Sequence, residues 1–316
     1  MDFGLHLGTR GAAGTAEGLR ALAQRADQLG LAYLGFSDHI VFTREASSQY
    51  PYSPDGRHPM QSHGFCLDQL TCMTFAAAVT KNIRLLSSVM VVPHRPPVLT
   101  AKMLASIDVL SNGRVTVGAG VGWLAEEMAV LGSPPYETRG AASNEYITAF
   151  RALWTSADPS HQGAHVNFRD VVFEPKPVQG SIPIWIGGEG KAARRRAGRI
   201  GDGWYPMIRN PQDPLDTAAA FATSLADVRR EAELAGRDPT KLDVGVFAGG
   251  LALGPPVLDP KGKRVAFTGA PEQIADDARG YKQAGARHLV VGFESNVLAE
   301  ALDRLEVFAT QVIPLV

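Results

Sequence analysis

The chain has 316 residues, of which 45% are hydrophobic and 20% charged, and its formal net charge is -1. This near-neutral balance argues against nucleic acid or an anionic membrane as the main partner, because both select basic surfaces. The composition is that of a folded globular protein, and the chain is long enough to bury a large core without disulfide bonds.

Short apolar runs alternate along the chain with longer segments that carry apolar residues at helical spacing. Local signals bound the helices: Gly30 follows the first helical segment, and Pro97 lies in the first turn of the third, where proline is tolerated. In chain order we predict strand 3–7, helix 15–29, strand 33–36, helix 68–80, strand 83–92, helix 96–110, strand 114–117, helix 141–154, strand 182–186, helix 190–200, strand 203–207, helix 213–235, strand 244–248, helix 271–284, strand 288–292 and helix 296–312.

Eight repeats of strand then helix imply parallel strands, since a parallel pair needs a crossover connection. Closing eight such units gives an α/β protein with a TIM (β/α)8 barrel, which typically takes about 250 residues before insertions. We therefore predict one domain spanning residues 1–316. The alternative, an open doubly wound sheet, requires a phosphate-binding fingerprint after the first strand, and residues 8–11 lack the GxGxxG spacing.

Three stretches do not fit the repeat: residues 43–67, 158–181 and 254–270. The second contains a predicted hairpin at 164–173. The first and third follow strands two and seven, so they lie at the catalytic end of a barrel, where long loops shape a site or act as lids. Disorder is the alternative for either of them.

The two cysteines, Cys66 and Cys72, fit neither zinc-site nor CxxC spacing, and the sequence has no HExxH motif. We expect free thiols in a reducing compartment and no metal site. Residues 1–6 lack the regions of a signal peptide, and no apolar run approaches the roughly 18 residues of a membrane span. We therefore expect a cytoplasmic protein that does not bind membranes.

The active site of a TIM barrel lies where the strands end, which selects candidate residues without an alignment. These candidates are Asp38, His39, Ser87, Ser88, Val89, residues 118–123, residues 187–190, Trp204, Tyr205, Met207, Phe293 and Glu294.

His39 is the candidate acid or base, because the unperturbed pKa of an imidazole lies near neutrality. Asp38 precedes it and points to the other side of an extended backbone. The alternative for His39 is a structural histidine at the strand end.

Residues 187–190 precede a helix and are rich in glycine, which allows the backbone to approach a phosphate at the helix N-terminus. The alternative is an ordinary tight turn, and the same holds for residues 118–122. Glu126 and Glu127 open a further segment, where acidic residues favour the helix dipole.

Taken together, several segments resemble the bacterial-luciferase-like flavin and deazaflavin oxidoreductases. The resemblance covers about two thirds of the chain in matching order. It rests on residues 37–39, 88–93, Pro97, 101–102, Asp108, 110–111, 113–114, Gly118, Gly120, Gly122, Trp123, Glu127, 183–188 and 197–204.

The resemblance implies a luciferase-like barrel with an isoalloxazine-type ring across its C-terminal mouth. It also implies a non-proline cis peptide bond at Ser88–Val89, a cofactor phosphate at 187–190 and a cofactor cleft lined by 120–123. The cofactor-binding residues that it indicates are Asp38, Ser88, Val89, Gly120, Val121, Gly122, Trp123, Gly187, Gly188, Glu189, Gly190 and Met207.

Within this superfamily, the sequence is more similar to the branch that uses coenzyme F420, a deazaflavin. The resemblance implies hydride transfer between F420 and a small organic substrate, with His39 as proton donor or acceptor. Trp123 and Thr43 replace residues found in some relatives, which argues against a sugar-phosphate dehydrogenase. The alternatives are an FMN-dependent monooxygenase and a non-enzymatic cofactor-binding barrel. Relatives commonly form homodimers, so we expect a homodimer.

Overall fold

A computed structural model describes residues 1–53, 55–58, 60, 62–293 and 295–316. Candidate residue Glu294 lies outside this described part. The strands are β1 (Asp2–His6), β2 (Tyr33–Phe36), β3 (Arg84–Val91), β4 (Val115–Gly120), β5 (His161–Gln162), β6 (Asn167–Phe168), β7 (Ile184–Gly187), β8 (Gly203–Tyr205), β9 (Asp243–Gly249), β10 (Ala252–Leu253), β11 (Thr268–Gly269) and β12 (His288–Gly292).

The helices lie around the strands. They are α1 (Ala16–Gln28), α2 (Gln69–Val79), α3 (Pro97–Ser111), α4 (Ala125–Val130), α5 (Arg139–Thr155), α6 (Lys191–Ile200), α7 (Ala218–Leu234), α8 (Pro271–Gln283) and α9 (Leu298–Val307). No helix in the described ranges is both long enough and apolar enough to cross a membrane.

Eight of the strands form a closed parallel barrel, so the predicted TIM barrel is confirmed. The barrel strands follow chain order around the ring: β1, β2, β3, β4, β7, β8, β9 and β12, which pairs back onto β1. The carboxyl ends of all eight strands therefore meet at one mouth, the end at which TIM-barrel enzymes bind their ligands.

Local sequence signals set the ends of several helices. Thr15 caps α1 by accepting a hydrogen bond from the Gly18 N–H, which satisfies one of the unpaired donors of the first turn. Helix α3 begins with a proline and ends at Asn112, which adopts a left-handed conformation with φ of 57°. Because these signals are local, the predicted bounds of α1 and α3 agree closely with the structure.

Several elements differ from the prediction: β10 and β11 were not predicted, α7 begins later than expected and α9 ends earlier. Helix α4 was not predicted as a separate element, and β8 ends at Tyr205, beyond which Met207 forms only a single bridge to Phe247. The hairpin forms earlier than predicted, as β5 and β6. Its turn is held by the Glu145 carboxylate, which accepts hydrogen bonds from three successive backbone N–H groups at 164–166.

The cis peptide bond predicted at Ser88–Val89 is present in β3, where the pairing with β4 shifts register. Val89 packs against strand-end glycines: a Cβ at Gly120 would lie 2.8 Å, and one at Gly187 2.9 Å, from its methyl groups. Real Cβ atoms do not approach so closely, so β4 and β7 need glycine where they pass Val89.

Candidate active site

A cavity of about 520 Å³ opens at the carboxyl ends of the barrel strands. It is lined by strand ends and by the segments that follow them, as expected for the ligand site of a TIM barrel. Most of the predicted site residues line it, namely Asp38, His39, Ser88, Val89, Trp123, Gly187, Gly188, Glu189 and Met207.

Four predicted cofactor-binding residues, Gly120, Val121, Gly122 and Gly190, are not in this lining. Gly120 supports Val89 from behind. Gly122 has φ of 85°, and a Cβ there would lie 2.8 Å from Val91. Gly190 is the N-terminal cap residue of α6. Direct cofactor contact by these four residues stays a prediction, whereas a structural need for Gly120 and Gly122 follows from the packing.

His39 lies at the end of β2 and is held by Glu127, a carboxylate with no solvent exposure. The His39 Nδ1–H donates a hydrogen bond of 2.8 Å to Glu127 Oε2. The other carboxylate oxygen accepts the backbone N–H groups of Ile40 (2.6 Å) and Val41 (3.1 Å). Because Nδ1 is engaged, the ring presents Nε2 as its available nitrogen.

Glu127 remains a carboxylate despite its burial. Burial raises its pKa, but the hydrogen bond and charge of His39, the charge of His94 and the Ile40 N–H outweigh it, and the net pKa is lowered. A buried carboxylate that stays ionised stabilises a protonated His39 when that ring takes up a proton. From the sequence, Glu127 is a helix-dipole residue and one of the residues that carry the family resemblance. Its pairing with His39 was not predicted, because only the fold brings the two side chains together.

Asp38 points away from His39 and binds Arg95 through both of its oxygens, at 2.9 and 2.8 Å. It also accepts the backbone N–H of Val91 at 2.9 Å, which ties the end of β2 to the end of β3. Arg95 reaches Asp68 as well, at 2.7 Å. The Asp38 carboxylate thus faces the protein interior, and its predicted contact with a cofactor is untested.

Glu189 follows the glycine pair at the end of β7 and is 1% exposed. Its carboxylate accepts hydrogen bonds of 2.7 Å from the Met207 N–H and from Asn210 Nδ2, and the Tyr52 hydroxyl lies 3.4 Å away. Burial raises the pKa of Glu189, and these hydrogen bonds only partly offset it. The cavity wall beside Gly188 therefore carries a carboxyl group that protonates more readily than usual.

The described residues of the insertion, 43–53 and 55–58, lie beside the cavity and contact α4. The Glu126 carboxylate accepts hydrogen bonds from the N–H groups of Ser47 (2.6 Å) and Ser48 (3.2 Å). In return the Ser48 hydroxyl accepts the Ala125 N–H at 3.1 Å, a first-turn donor that lacks a partner within its helix. The segment contributes three side chains to the cavity lining, Tyr50, Tyr52 and His58.

One observation indicates that a flat cofactor ring fits this cavity. Val89 projects into it, and the neighbouring wall at Gly187 and Gly188 is bare backbone. The Ser88 hydroxyl hydrogen-bonds the buried Tyr205 hydroxyl at 2.9 Å, and the Ser88 carbonyl accepts from His6 Nε2 at 3.3 Å. These contacts hold Val89 as a fixed apolar support against which a ring could stack.

Comparison with known proteins agrees with this geometry. The model of the luciferase-like monooxygenase family matches residues 1–256 of the chain. The uncharacterized protein Rv0953c of Mycobacterium tuberculosis is 33% identical over 263 residues, which are 81% of this chain and 88% of that protein. The FMNH(2)-dependent dimethylsulfone monooxygenase of Pseudomonas putida is 29% identical over 231 residues, which are 72% of this chain and 56% of that enzyme.

Among solved structures, an F420-dependent secondary alcohol dehydrogenase in complex with an F420-acetone adduct is similar over the whole barrel. The TM-score is 0.78 at 19% sequence identity, and the match covers 99% of this chain and 98% of that one. At this identity the likeness supports the fold alone.

Proposed function

Because the chain belongs to the luciferase-like monooxygenase family of oxidoreductases, we propose that it is an F420-dependent oxidoreductase acting on a small organic substrate, with His39 as its proton donor and acceptor. The observation that carries this proposal is the His39–Glu127 pair at the cavity wall, with a 2.8 Å hydrogen bond to a fully buried carboxylate. This pair supplies an acid or base where a hydride acceptor would need one.

A bound deazaflavin would supply or accept the hydride, while the protein positions the reactants and handles the proton. Val89 would support the ring, and the turn at 187–190 would hold the cofactor phosphate. His39 Nε2 holds the proton that a substrate oxygen gains or loses, and Glu127 stabilises the charged imidazolium. Tyr50, Tyr52 and His58 would shield the substrate from water, which would strengthen these electrostatic contacts.

An FMN-dependent monooxygenase is the second candidate, and the similarity to the Pseudomonas putida enzyme favours it. Fluorescence titration of the purified protein with F420 and with FMN separates the two candidates. Our proposal expects tight binding of F420 and turnover of a carbonyl or alcohol substrate without oxygen uptake. Tight binding of FMN together with no response to F420 would overturn it.

The turn at 187–190 is where we place the cofactor phosphate, and Gly188→Val tests this. Gly188 has φ of 102°, and a Cβ there would lie 3.0 Å from the Ala193 side chain. Valine cannot adopt this backbone without strain, so the turn must change. We expect the Kd for the cofactor to rise by about 10- to 100-fold, the cost of losing a hydrogen bond to a charged group.

The matched control for that variant is Gly236→Val at the end of α7. Gly236 also has a positive φ, 69°, but its Cβ would meet nothing within 4 Å and it lies outside the cavity lining. The control should retain wild-type cofactor affinity. If both variants bind the cofactor with equal affinity, the phosphate does not bind at the 187–190 turn.

The position of Glu189 beside this turn predicts a pH dependence of cofactor binding. The raised pKa means that Glu189 is protonated at a higher pH than a free carboxyl. An anionic phosphate nearby favours the neutral form further, so binding takes up a proton and the Kd falls as the pH is lowered. One linked proton limits the slope to about tenfold per pH unit.

Cofactor titrations between about pH 8 and about pH 6 measure this slope. In Glu189→Gln the side chain carries no titrating proton, so we expect a flatter pH dependence and tighter binding at the upper end of the range. Any pH dependence that belongs to the phosphate itself persists in the variant. If the Kd of wild type and of Glu189→Gln depends on pH with the same slope, Glu189 does not lie beside the bound phosphate.

A further inference from the structure

A second imidazole lies beside His39 in the cavity, contributed by the segment that folds over it. The ring centroids of His39 and His58 are 4.9 Å apart. His58 is 7% exposed and stacks between Phe42, at 5.1 Å, and Trp123, at 5.8 Å, while Tyr50 contacts it edge-on at 4.5 Å. Three aromatic neighbours therefore fix the plane of the His58 ring.

The hydrogen bond at one ring nitrogen of His58 determines whether the other nitrogen is a donor or an acceptor. His58 Nδ1 accepts the backbone N–H of Met60 at 3.2 Å, so in the neutral ring the proton sits on Nε2. Among the residues that the structure describes, Nε2 makes no hydrogen bond to the protein. The ring lines the cavity, so Nε2–H is a donor available to a ligand there.

The charge state of His58 is set by its surroundings. Burial, together with the positive charges of His39 and Arg10, lowers its pKa to about 3 against an opposing effect of Glu127. The ring is thus uncharged near neutral pH. His58 can therefore donate a hydrogen bond while it keeps its proton. His39, which is paired with Glu127, is the residue that we propose exchanges a proton.

We propose that His58 contacts the substrate, and that its Nε2–H and His39 together bind one oxygen atom of an uncharged ketone, aldehyde or alcohol. This inference rests on the proposed function and specifies its substrate class. In the reducing direction, hydride from the reduced cofactor adds to the carbonyl carbon, the C=O π pair becomes the new O–H bond with a proton from His39, and an alcohol and the oxidised cofactor result. His58 keeps its proton throughout and stabilises the charge that develops on the oxygen.

Part of the lining suits the carbon part of such a substrate, although Arg10 and Arg304 line the cavity as well. Trp123 packs against both histidines, and Phe247, Leu251 and Phe293 add apolar surface elsewhere in the cavity. A site that hydrogen-bonds one oxygen inside apolar walls rejects analogues that lack this oxygen, because its polar groups would then stay unpaired.

Three variants test the role of His58, with methyl ketones from 2-butanone to 2-heptanone and reduced F420 as probes. His58→Phe keeps the ring stacking but removes the donor, and His58→Gln restores an N–H donor. His63→Phe is the control, since His63 is exposed and lies outside the cavity lining. We expect kcat/KM for the ketones to fall by about 10- to 100-fold in His58→Phe, to recover partly in His58→Gln and to stay unchanged in the control.

Two measurements besides activity separate this inference from the proposed function. The Kd for F420 should be the same in wild type and His58→Phe, because His58 binds the substrate rather than the cofactor. In wild-type protein, ¹⁵N NMR of the histidines should show an Nε2-protonated His58 that shifts on addition of 2-butanone. Failure of wild type to bind F420 would contradict the proposed function alone, and the NMR shift would still decide the role of His58.

The inference is overturned by either of two results. One is a ketone kcat/KM in His58→Phe equal to that of wild type. The other is an NMR spectrum in which His58 carries its proton on Nδ1 or does not respond to the ketone.

Discussion

Replacing His39 with alanine slows turnover by about 10²- to 10⁴-fold, the usual size of a general acid–base contribution, and leaves cofactor affinity intact. The imidazole handles the proton, whereas Val89 and the turn at 187–190 would hold the cofactor. Pre-steady-state kinetics with F420 and a ketone or alcohol, combined with fluorescence titration, measures both effects. A turnover rate within a few-fold of wild type would remove His39 from the reaction.

Glu127→Gln tests whether Glu127 positions His39. The glutamine amide presents either a donor or a single neutral acceptor to His39 Nδ1. It therefore fixes the Nδ1–H tautomer less well than the carboxylate does, and it brings no negative charge to stabilise the imidazolium. We expect kcat to fall with little change in cofactor Kd, and the pH profile of kcat to change shape, an effect that loose packing alone would not produce. His63→Ala, in an exposed position, is the control for both variants.

Asp38→Ala should destabilise the protein by about 3–5 kcal/mol, because it removes the fully buried partner of Arg95 and leaves that guanidinium with only the partly exposed carboxylate of Asp68. The Asp38 side chain has no solvent exposure and that of Arg95 is only 10% exposed. The variant also leaves the Val91 N–H without its acceptor, because Asp38 accepts that hydrogen bond at 2.9 Å. Urea denaturation at neutral pH, with the free energy of unfolding extrapolated to water, measures the effect.

Asp68→Ala is the comparison for that variant, because it removes the other carboxylate that binds Arg95. The Asp68 side chain is 40% exposed, and its second role is to cap α2 through the Thr71 N–H at 2.8 Å. Loss of such a cap costs about 0.5–2 kcal/mol. If Asp38→Ala does not fold, Asp38→Asn gives the milder change, and equal stabilities of the Asp38 and Asp68 variants would contradict the argument.

The barrel was predictable because its signals are local and repeated. Strands β2 and β12 have the predicted bounds, since each is a short apolar run closed by a polar or glycine-rich segment. The hairpin was misplaced because a side chain from another element, Glu145, fixes its turn. The pattern of residues within 158–181 does not indicate that contact.

The candidate site was predictable where it depends on strand ends and less so elsewhere. His39 and Gly188 follow barrel strands and Val89 lies near the carboxyl end of β3, so topology alone brings them to one mouth. His58 and Tyr52 come from a turn-rich insertion whose path depends on contacts with α4, such as that of Glu126. Glu127 is far from His39 in sequence, and only the closed barrel brings its carboxylate to within 2.8 Å of the imidazole.

The origin of the cavity walls bears on how such enzymes diverge. The proposed cofactor contacts come from barrel strands, whose glycines are constrained by the packing of Val89. Tyr50, Tyr52 and His58 all come from one insertion, which contacts the rest of the barrel through hydrogen bonds at Ser47 and Ser48 and through ring packing on Trp123. Under the proposed function, mutations in that insertion would redirect the enzyme toward new metabolites during evolution while the cofactor contacts of the barrel strands are inherited unchanged.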